Sequence, residues 1–167
     1  MEIRIAGTVS ESIVDGPGIR YVVFTQGCPH RCEGCQNPET HDFSGGKTVD
    51  TDELYTRCVD DPLHDGVTFS GGEPFCQAEA LYELGAKLKK HGLHLMCYSG
   101  WTFEELLKKA EDEEFVKKLL SITDILADGK FMPEKRSLSL KFRGSENQRL
   151  IDVQQSLKKG CTVLEDL

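Results

Sequence analysis

Residues 19–35 read IRYVVFTQGCPHRCEGC, a β-branched and aromatic run that ends in a loop with three cysteines. Cys28, Cys32 and Cys35 have the spacing C-x3-C-x2-C. Clusters of the 4Fe–4S type that transfer electrons are usually held by four cysteine thiolates. A loop with three cysteines therefore predicts a cluster with one iron left open to a substrate, by the same logic that distinguishes catalytic from structural zinc sites.

A second apolar run, GVTFS, ends in the motif Ser70-Gly71-Gly72-Glu73-Pro74. Glycines let a backbone approach a small ligand closely, the glutamate brings a carboxylate beside it, and the proline suits the first turn of a following helix. For this motif alone, a tight turn without a ligand is the alternative. The cysteine loop upstream favours a ligand site.

Structural zinc is the main competing interpretation of the cysteine loop. Zinc sites usually take a fourth Cys or His, often from a second C-x2-C pair, and the sequence has no such pair. His30 and His41 are available, but His30 lies between the first two cysteines, where its geometry is awkward. The remaining cysteines occur singly and are expected to pack in the protein; they are Cys58, Cys76, Cys97 and Cys161.

The bulk composition indicates a cytoplasmic protein of one domain, residues 1–167. The net charge of −8 argues against nucleic acid as a partner, since phosphate binding needs clustered Lys and Arg. No apolar run approaches the roughly 18 residues that cross a membrane, and the start of the chain has no signal-peptide pattern. Seven cysteines without regular spacing do not predict disulfides.

Strand-like and helix-like segments alternate along the chain, which indicates an α/β fold with a mostly parallel sheet. A closed barrel of eight βα units needs roughly 250 residues, so 167 residues predict a partial, open TIM-like barrel of about five or six βα units. The predicted strands cover 19–26, 66–70, 93–98, 122–127, 137–142 and 150–153. The predicted helices cover 49–59, 75–91 and 102–120.

The candidate motifs all follow predicted strands: 27–35, 70–74, 99–101 and 128–130. Loops at the carboxyl ends of parallel strands form the active face of such folds. We therefore expect these motifs to meet at one mouth, although they lie up to a hundred residues apart in sequence.

The cysteine loop followed by a GGE motif resembles the radical S-adenosylmethionine superfamily. The resemblance implies that the open iron binds the amino and carboxylate groups of S-adenosylmethionine, and that one electron cleaves the sulfonium to give a 5′-deoxyadenosyl radical. It also implies that the backbone of Ser70, Gly71 and Gly72 and the carboxylate of Glu73 steady the amino group. The sequence departs from the commonest pattern at Gly34, where an aromatic residue usually touches the adenine.

Within that superfamily the chain resembles the glycyl-radical activating enzymes, above all the activating proteins of anaerobic ribonucleoside-triphosphate reductase. Five segments in the same order carry this resemblance: 13–20 (IVDGPGIR), 35–38 (CQNP), 98–102 (YSGWT), 126–131 (LADGKF) and 142–149 (FRGSENQR). Asp128 and Lys130 match a D-x-K element that lies near the methionine carboxylate in related activases, although a surface pair is the alternative. The resemblance leaves open the roles of Trp101, Arg143, Asn147 and Gln148.

The resemblance implies an enzyme that abstracts a hydrogen atom from a glycine Cα of the reductase large subunit, with a flavodoxin-like electron donor. One alternative is the activation of another glycyl-radical enzyme, such as pyruvate formate-lyase. Another is a small-molecule rearrangement such as deazapurine formation. The last is a zinc or iron–sulfur module without catalysis.

Overall fold

Seven strands form one mixed sheet in a computed structural model that describes residues 1–167. In spatial order they lie β3-β1-β2-β4-β5-β6-β7. The strands β2, β4, β5 and β6 are parallel, whereas β1 is antiparallel to both of its neighbours and β7 is antiparallel to β6. The strands are β1 (Glu2–Ser12), β2 (Arg20–Thr25), β3 (Lys47–Asp50), β4 (Gly66–Gly71), β5 (His94–Tyr98), β6 (Ile125–Asp128) and β7 (Arg149–Asp152).

The open α/β fold predicted from the sequence is confirmed, since the sheet ends at β3 and β7 without closing. Its parallel part has four strands, fewer than the five or six units expected, because antiparallel strands occupy both edges. Five helices accompany the sheet: α1 (Thr51–Asp60), α2 (Ala78–His91), α3 (Phe103–Ala110), α4 (Glu114–Ile122) and α5 (Val153–Lys159). None of these helices is both long and apolar enough to cross a membrane.

The main core lies between the sheet and the helices. Helix α2 contributes Leu81, Leu84 and Leu88, which are fully buried and repeat at three to four residues along one face. It ends at Gly92, which has a left-handed backbone and whose N–H donates to the Leu88 carbonyl. Glycine adopts that conformation without the penalty of a side chain, so the predicted end of the helix is confirmed.

The opposite face of the sheet carries a smaller apolar cluster of Met96, Ile125, Ala127 and Leu150. Near Met96, the buried Arg20 closes the amino-terminal end of the parallel strands. Its guanidinium donates to the Thr68 hydroxyl at 2.7 Å, to the Val67 and Pro17 carbonyls at 2.9 Å each, and to His94 Nδ1 at 3.1 Å. Burial lowers the pKa of Arg20 to about 10.

The predicted helix over 49–59 begins later, because Lys47–Asp50 pairs with β1 as an edge strand. Asp50 then accepts a hydrogen bond from the Asp52 N–H as the helix cap. The predicted helix over 102–120 is two helices. Thr102 caps the first as expected, but the exposed acidic run 111–113 interrupts the pattern, and Glu113 has an extended backbone. Acidic groups are unfavourable at a helix carboxyl end.

Two strand predictions differ from the structure. Strand β1 is absent from the sequence prediction. In the structure it pairs with β2 and β3 over most of its length. The predicted strand over 137–142 is wrong: this segment forms turns, and Leu138 is 89% exposed. The alternation of SLSLKF is typical of a strand, but β7 already pairs with the open side of β6, so the segment has no partner there.

Candidate active site

A cavity of about 520 Å³ lies at the carboxyl ends of the parallel strands. All four motifs that were expected to meet contribute to its wall. The cysteine loop provides Cys28, Cys32 and Cys35, and three further segments provide Ser70–Gly72, Ser99–Gly100 and Gly129–Lys130. Segments up to a hundred residues apart in sequence thus share the wall of one cavity.

The cysteine loop is closed by backbone hydrogen bonds at its base. The Gly27 N–H donates to the Thr40 carbonyl at 2.7 Å, and the Cys28 N–H donates to the His41 carbonyl at 3.1 Å. Gly27 has a φ of 105°, and a Cβ at this position would lie 2.4 Å from the Phe43 ring. The residue before the first cysteine must therefore be glycine for the loop to close in this way.

All seven cysteines are unpaired, and only those of the loop line the cavity. Cys28 is buried, and Cys32 and Cys35 are half-buried. Burial raises the pKa of the Cys28 and Cys32 thiols, while the backbone amides of His30 and Arg31 act in the opposite direction on the pKa of Cys28.

This donor set fits a 4Fe–4S cluster with one open iron: three thiols share a wall, and no fourth cysteine lies there. No three His, Cys, Asp or Glu side chains converge where a single metal ion could bind. A cluster does not need such convergence, since each thiolate binds a different iron. His30, one candidate for a fourth zinc ligand, has its Nε2 committed to Glu73.

The two glycines of the second motif are required by neighbouring backbone. A Cβ at Gly71 would lie 2.6 Å from the Thr25 nitrogen, and a Cβ at Gly72 would lie 2.4 Å from the Gly27 carbonyl oxygen. The Glu73 N–H also donates to that carbonyl, at 2.9 Å. The glycines therefore let the second motif pack directly against β2 and the cysteine loop.

The Glu73 carboxylate is fully buried and does not line the cavity. It accepts hydrogen bonds from the Phe75 N–H, the Ser99 hydroxyl, the Gly100 N–H and His30 Nε2. The sequence predicts that this carboxylate lies beside a ligand. All of its accepting positions are instead occupied by the protein, so a direct contact with a cofactor stays a prediction.

The D-x-K element divides between the interior and the cavity. Asp128 is buried, accepts a hydrogen bond from the Phe103 N–H at 2.8 Å, and pairs with Arg149 Nη2 at 2.6 Å. It does not line the cavity, whereas the exposed Lys130 does. The turn between them has Gly129 at a φ of 93°, so the lysine emerges on the cavity side.

The sequence matches the 4Fe-4S single cluster domain family over residues 14–151. It is 35% identical to the pyruvate formate-lyase-activating enzyme of Listeria monocytogenes, over 93% of this chain and 63% of that protein. It is 34% identical to the anaerobic ribonucleoside-triphosphate reductase-activating protein of Vibrio cholerae, over 81% of this chain and 89% of that protein. The chain belongs to the radical S-adenosylmethionine family of glycyl-radical activating enzymes.

The chain spans only part of some members of this activase family. It is 41% identical to the pyruvate formate-lyase-activating enzyme of Clostridium pasteurianum, over 65% of this chain and 49% of that protein. Among solved structures, QueE from Escherichia coli has a similar fold, with a TM-score of 0.51 at 18% identity over 61% of this chain and 54% of that one.

The sequence did not identify one wall of the cavity in this chain. Phe131, Leu138, Phe142 and Arg143 all line it, and they come from the segment that was expected to contain a strand or from its flanks. A Cβ at Gly34 would lie 3.3 Å from the Phe131 ring. The glycine at position 34, in place of the usual aromatic residue, was the sequence signal for this wall. It leaves a space that the Phe131 ring packs against.

Two residues whose roles the sequence left open hold the D-x-K turn in place. The Asn147 side chain donates to the Lys130 carbonyl at 2.7 Å, and the Gln148 side chain donates to the Gly129 carbonyl at 3.0 Å. The Gln148 oxygen also accepts from the Gly144 N–H. The late segment of the activase signature therefore supports the turn that presents Lys130 to the cavity.

Proposed function

We propose that the chain installs a glycyl radical on the large subunit of anaerobic ribonucleoside-triphosphate reductase, using a 4Fe–4S cluster and S-adenosylmethionine. The observation that carries the proposal is the shared cavity wall of the three loop thiols, the Ser70–Gly72 backbone and residues of the late segment 142–149. Family membership supports the chemistry. The site geometry supports these residues as the ones that hold the cluster and S-adenosylmethionine.

Cys28, Cys32 and Cys35 hold the cluster in this proposal, through one thiolate on each of three irons. When bound, the reduced cluster supplies one electron for cleavage of the S–C5′ bond of S-adenosylmethionine, so that methionine leaves and the 5′ carbon takes a hydrogen atom from a glycine Cα. The chain's own task is to position the reactants and exclude water, because proximity and a dry site prevent side reactions.

The cofactor faces the Ser70, Gly71 and Gly72 backbone and Lys130 in this proposal. The Lys130 ammonium group pairs with the methionine carboxylate in this proposal, because it places a compact positive charge at the cavity surface. Glu73 and Asp128, which were expected to touch the cofactor, contribute from behind the wall: Glu73 anchors two loops, and Asp128 anchors the turn before Lys130.

The apolar side of the cavity is suited to water exclusion. Phe24, Tyr98, Phe131 and Phe142 line it together, and the Tyr98 hydroxyl donates to the Phe142 carbonyl. Burial raises the pKa of Tyr98, so its phenol stays neutral and remains a donor at physiological pH. This side chain holds the late segment against β5.

The late segment 142–149 and the 89% coverage of the Vibrio cholerae reductase-activating protein support the reductase as target. Pyruvate formate-lyase is the second candidate, favoured by the 41% identity to the Clostridium pasteurianum activating enzyme. We further propose a flavodoxin-like electron donor and a cytoplasmic location. The acidic balance of the sequence argues against a nucleic-acid partner.

Electron paramagnetic resonance tests the proposal directly. The anaerobically reconstituted protein is incubated with reductant, S-adenosylmethionine and either the reductase or pyruvate formate-lyase from the same host. We expect a persistent glycyl doublet on the reductase, and none with Cys28→Ala. A doublet on pyruvate formate-lyase alone would favour the second candidate. No doublet on either partner, with both shown competent, would overturn the proposal.

A further inference from the structure

His30 and Glu73 form a buried contact between the cysteine loop and the second motif. His30 Nε2 lies 2.7 Å from Glu73 Oε2, and the two side chains are 5% and 0% exposed. Because a carboxylate only accepts, the imidazole N–H donates to it. His30 lies between Cys28 and Cys32 in sequence, so this contact holds the loop at its middle, away from the backbone bonds at its base.

Both oxygens of Glu73 are needed as acceptors. Oε1 accepts from the Phe75 N–H at 3.1 Å, and Oε2 accepts from the Gly100 N–H at 2.8 Å. An amide in place of the carboxylate would point its NH2 group at one of these two N–H donors, whichever way it turned. The site is therefore specific for a carboxylate, and both of its oxygens accept hydrogen bonds from the protein.

The loop that follows β5 also contacts the imidazole. The rings of His30 and Trp101 meet edge to face, with centroids 4.6 Å apart. A Cβ at Gly100 would lie 2.4 Å from His30 Cδ2, so residue 100 must lack a side chain for the ring to fit. Gly100 and Trp101 thus form the pocket that holds the His30 ring.

We propose that Glu73 is a positioning residue that acts through His30 to fix the cysteine loop around its cluster. This inference rests on the proposed function, because it takes Cys28, Cys32 and Cys35 as the cluster ligands. The loop is otherwise tied down at its base, through Gly27 and Cys28, and by few bonds at its middle. Without the His30 contact, the segment that carries Cys28 and Cys32 moves more freely, and the cluster loses iron faster.

A different role for Glu73, direct binding of the cofactor amino group, makes the opposite prediction about His30. In that case Glu73 variants lose S-adenosylmethionine affinity, whereas His30 variants retain it. In the positioning role His30 acts only through Glu73, so a Glu73 variant loses the His30 contact together with its other contacts, and removing His30 in addition has no further effect. Residues in direct contact show such non-additive behaviour in a double-mutant cycle.

The test measures iron release from the reconstituted protein to a chelator under anaerobic conditions, together with equilibrium binding of S-adenosylmethionine. His30→Phe keeps a ring between Gly100 and Trp101 but removes the donor. We expect it to release iron roughly ten times faster than the original protein, the scale of one hydrogen bond to a charged group. His30→Gln restores a donor, and we expect it to recover most of the slow release.

A second pair of variants distinguishes loss of the His30 contact from a general loss of stability. Gly100→Ala displaces the imidazole while leaving His30 and Glu73 in the sequence, and we expect release as fast as in His30→Phe. Leu84→Ala lowers stability through the core, far in sequence from the loop. At a temperature where every variant is folded, we expect it to release iron at the original rate.

Glu73→Gln combined with His30→Phe completes the cycle, and we expect the double variant to release iron no faster than Glu73→Gln alone. If His30→Phe released iron as slowly as the original protein, or if the effects were additive in the double variant, the inference would be overturned while the proposed function stayed intact. Failure of the original protein to take up iron and sulfide at all would instead contradict the proposed function.

Discussion

Arg149 of β7 pairs with the buried carboxylate of Asp128 at the end of β6, with Nη2 2.6 Å from Oδ2. The same guanidinium reaches Glu104 Oε2 on α3, also at 2.6 Å. Asp128 accepts from the Phe103 N–H at the start of that helix as well. One arginine thus joins β7, β6 and α3 directly beside the turn that presents Lys130, which explains why the aspartate of the D-x-K element faces inward.

We expect Arg149→Met to lower the free energy of unfolding by about 3 kcal/mol, because it leaves Asp128 as a buried charge without its partner. Urea unfolding of the metal-free protein measures this. Glu104→Gln is the matched control, since it removes only the exposed half of the network, and we expect a loss of less than about 1 kcal/mol. Equal losses in both variants would contradict the burial argument.

The free energy of unfolding should decrease as the pH falls below the ordinary pKa of histidine, because of His94. Burial and then the Arg20 guanidinium lower the pKa of His94, against the opposing effect of Asp124. The unfolded chain titrates near pH 6.5, so below that pH it binds a proton that the folded chain resists. Stability is then constant above about pH 6.5 and decreases below it, by at most about 1.4 kcal/mol per pH unit.

Urea unfolding of the metal-free protein between about pH 7.5 and 5.5 tests the His94 prediction. His94→Gln keeps an acceptor for Arg20 but cannot be protonated, so we expect a flatter profile. A decrease that is unchanged in this variant would assign the pH dependence to other groups.

Loss of any loop cysteine should prevent stable cluster assembly. We expect Cys28→Ala, Cys32→Ala and Cys35→Ala each to lose the brown absorbance of the reconstituted protein and its S-adenosylmethionine cleavage. The exposed Cys76 and Cys161 do not line the cavity, so Cys76→Ala and Cys161→Ala serve as matched controls and should retain both. Full cleavage in any loop variant would refute the assignment of the three ligands.

The parallel centre of the fold could be predicted because its strands are continuous apolar runs that end at glycine-containing motifs. The peripheral elements could not. The alternating pattern of 137–142 satisfies the local requirement for a strand, but pairing depends on which neighbour already occupies the sheet edge. Sequence pattern alone does not contain that information, since Leu150 and Ile151 compete for the same edge from further along the chain.

The site was predictable at the level of motifs but not at the level of single carboxylates. The thiols, Ser70–Gly72 and Lys130 line the cavity as the topology requires. Glu73 and Asp128 turn inward because nearby N–H groups and Arg149 compete for their oxygens. A charged residue in a motif next to a ligand site can either contact the ligand or hold the loop, and only the three-dimensional arrangement distinguishes the two.

The ring of Phe131 lies between two glycines, and this arrangement gives a further prediction. A Cβ at Gly144 would lie 2.9 Å from Phe131 Cδ2, and Gly144 does not have a left-handed backbone. Gly144→Ala is therefore purely an overpacking change, and we expect it to lower the free energy of unfolding by about 1–3 kcal/mol.

Reducing the ring should relieve that overpacking. We expect Phe131→Leu to recover at least half of the stability lost in Gly144→Ala, which a double-mutant cycle with urea unfolding measures. Gly7→Ala is the control, because a Cβ there meets no atom within 4 Å, and we expect a change of less than about 0.5 kcal/mol. Additive losses in Gly144→Ala and Phe131→Leu would show that the ring and the glycine do not constrain each other. The cavity wall beside Cys32 would then owe its shape to other contacts of the 131–144 segment.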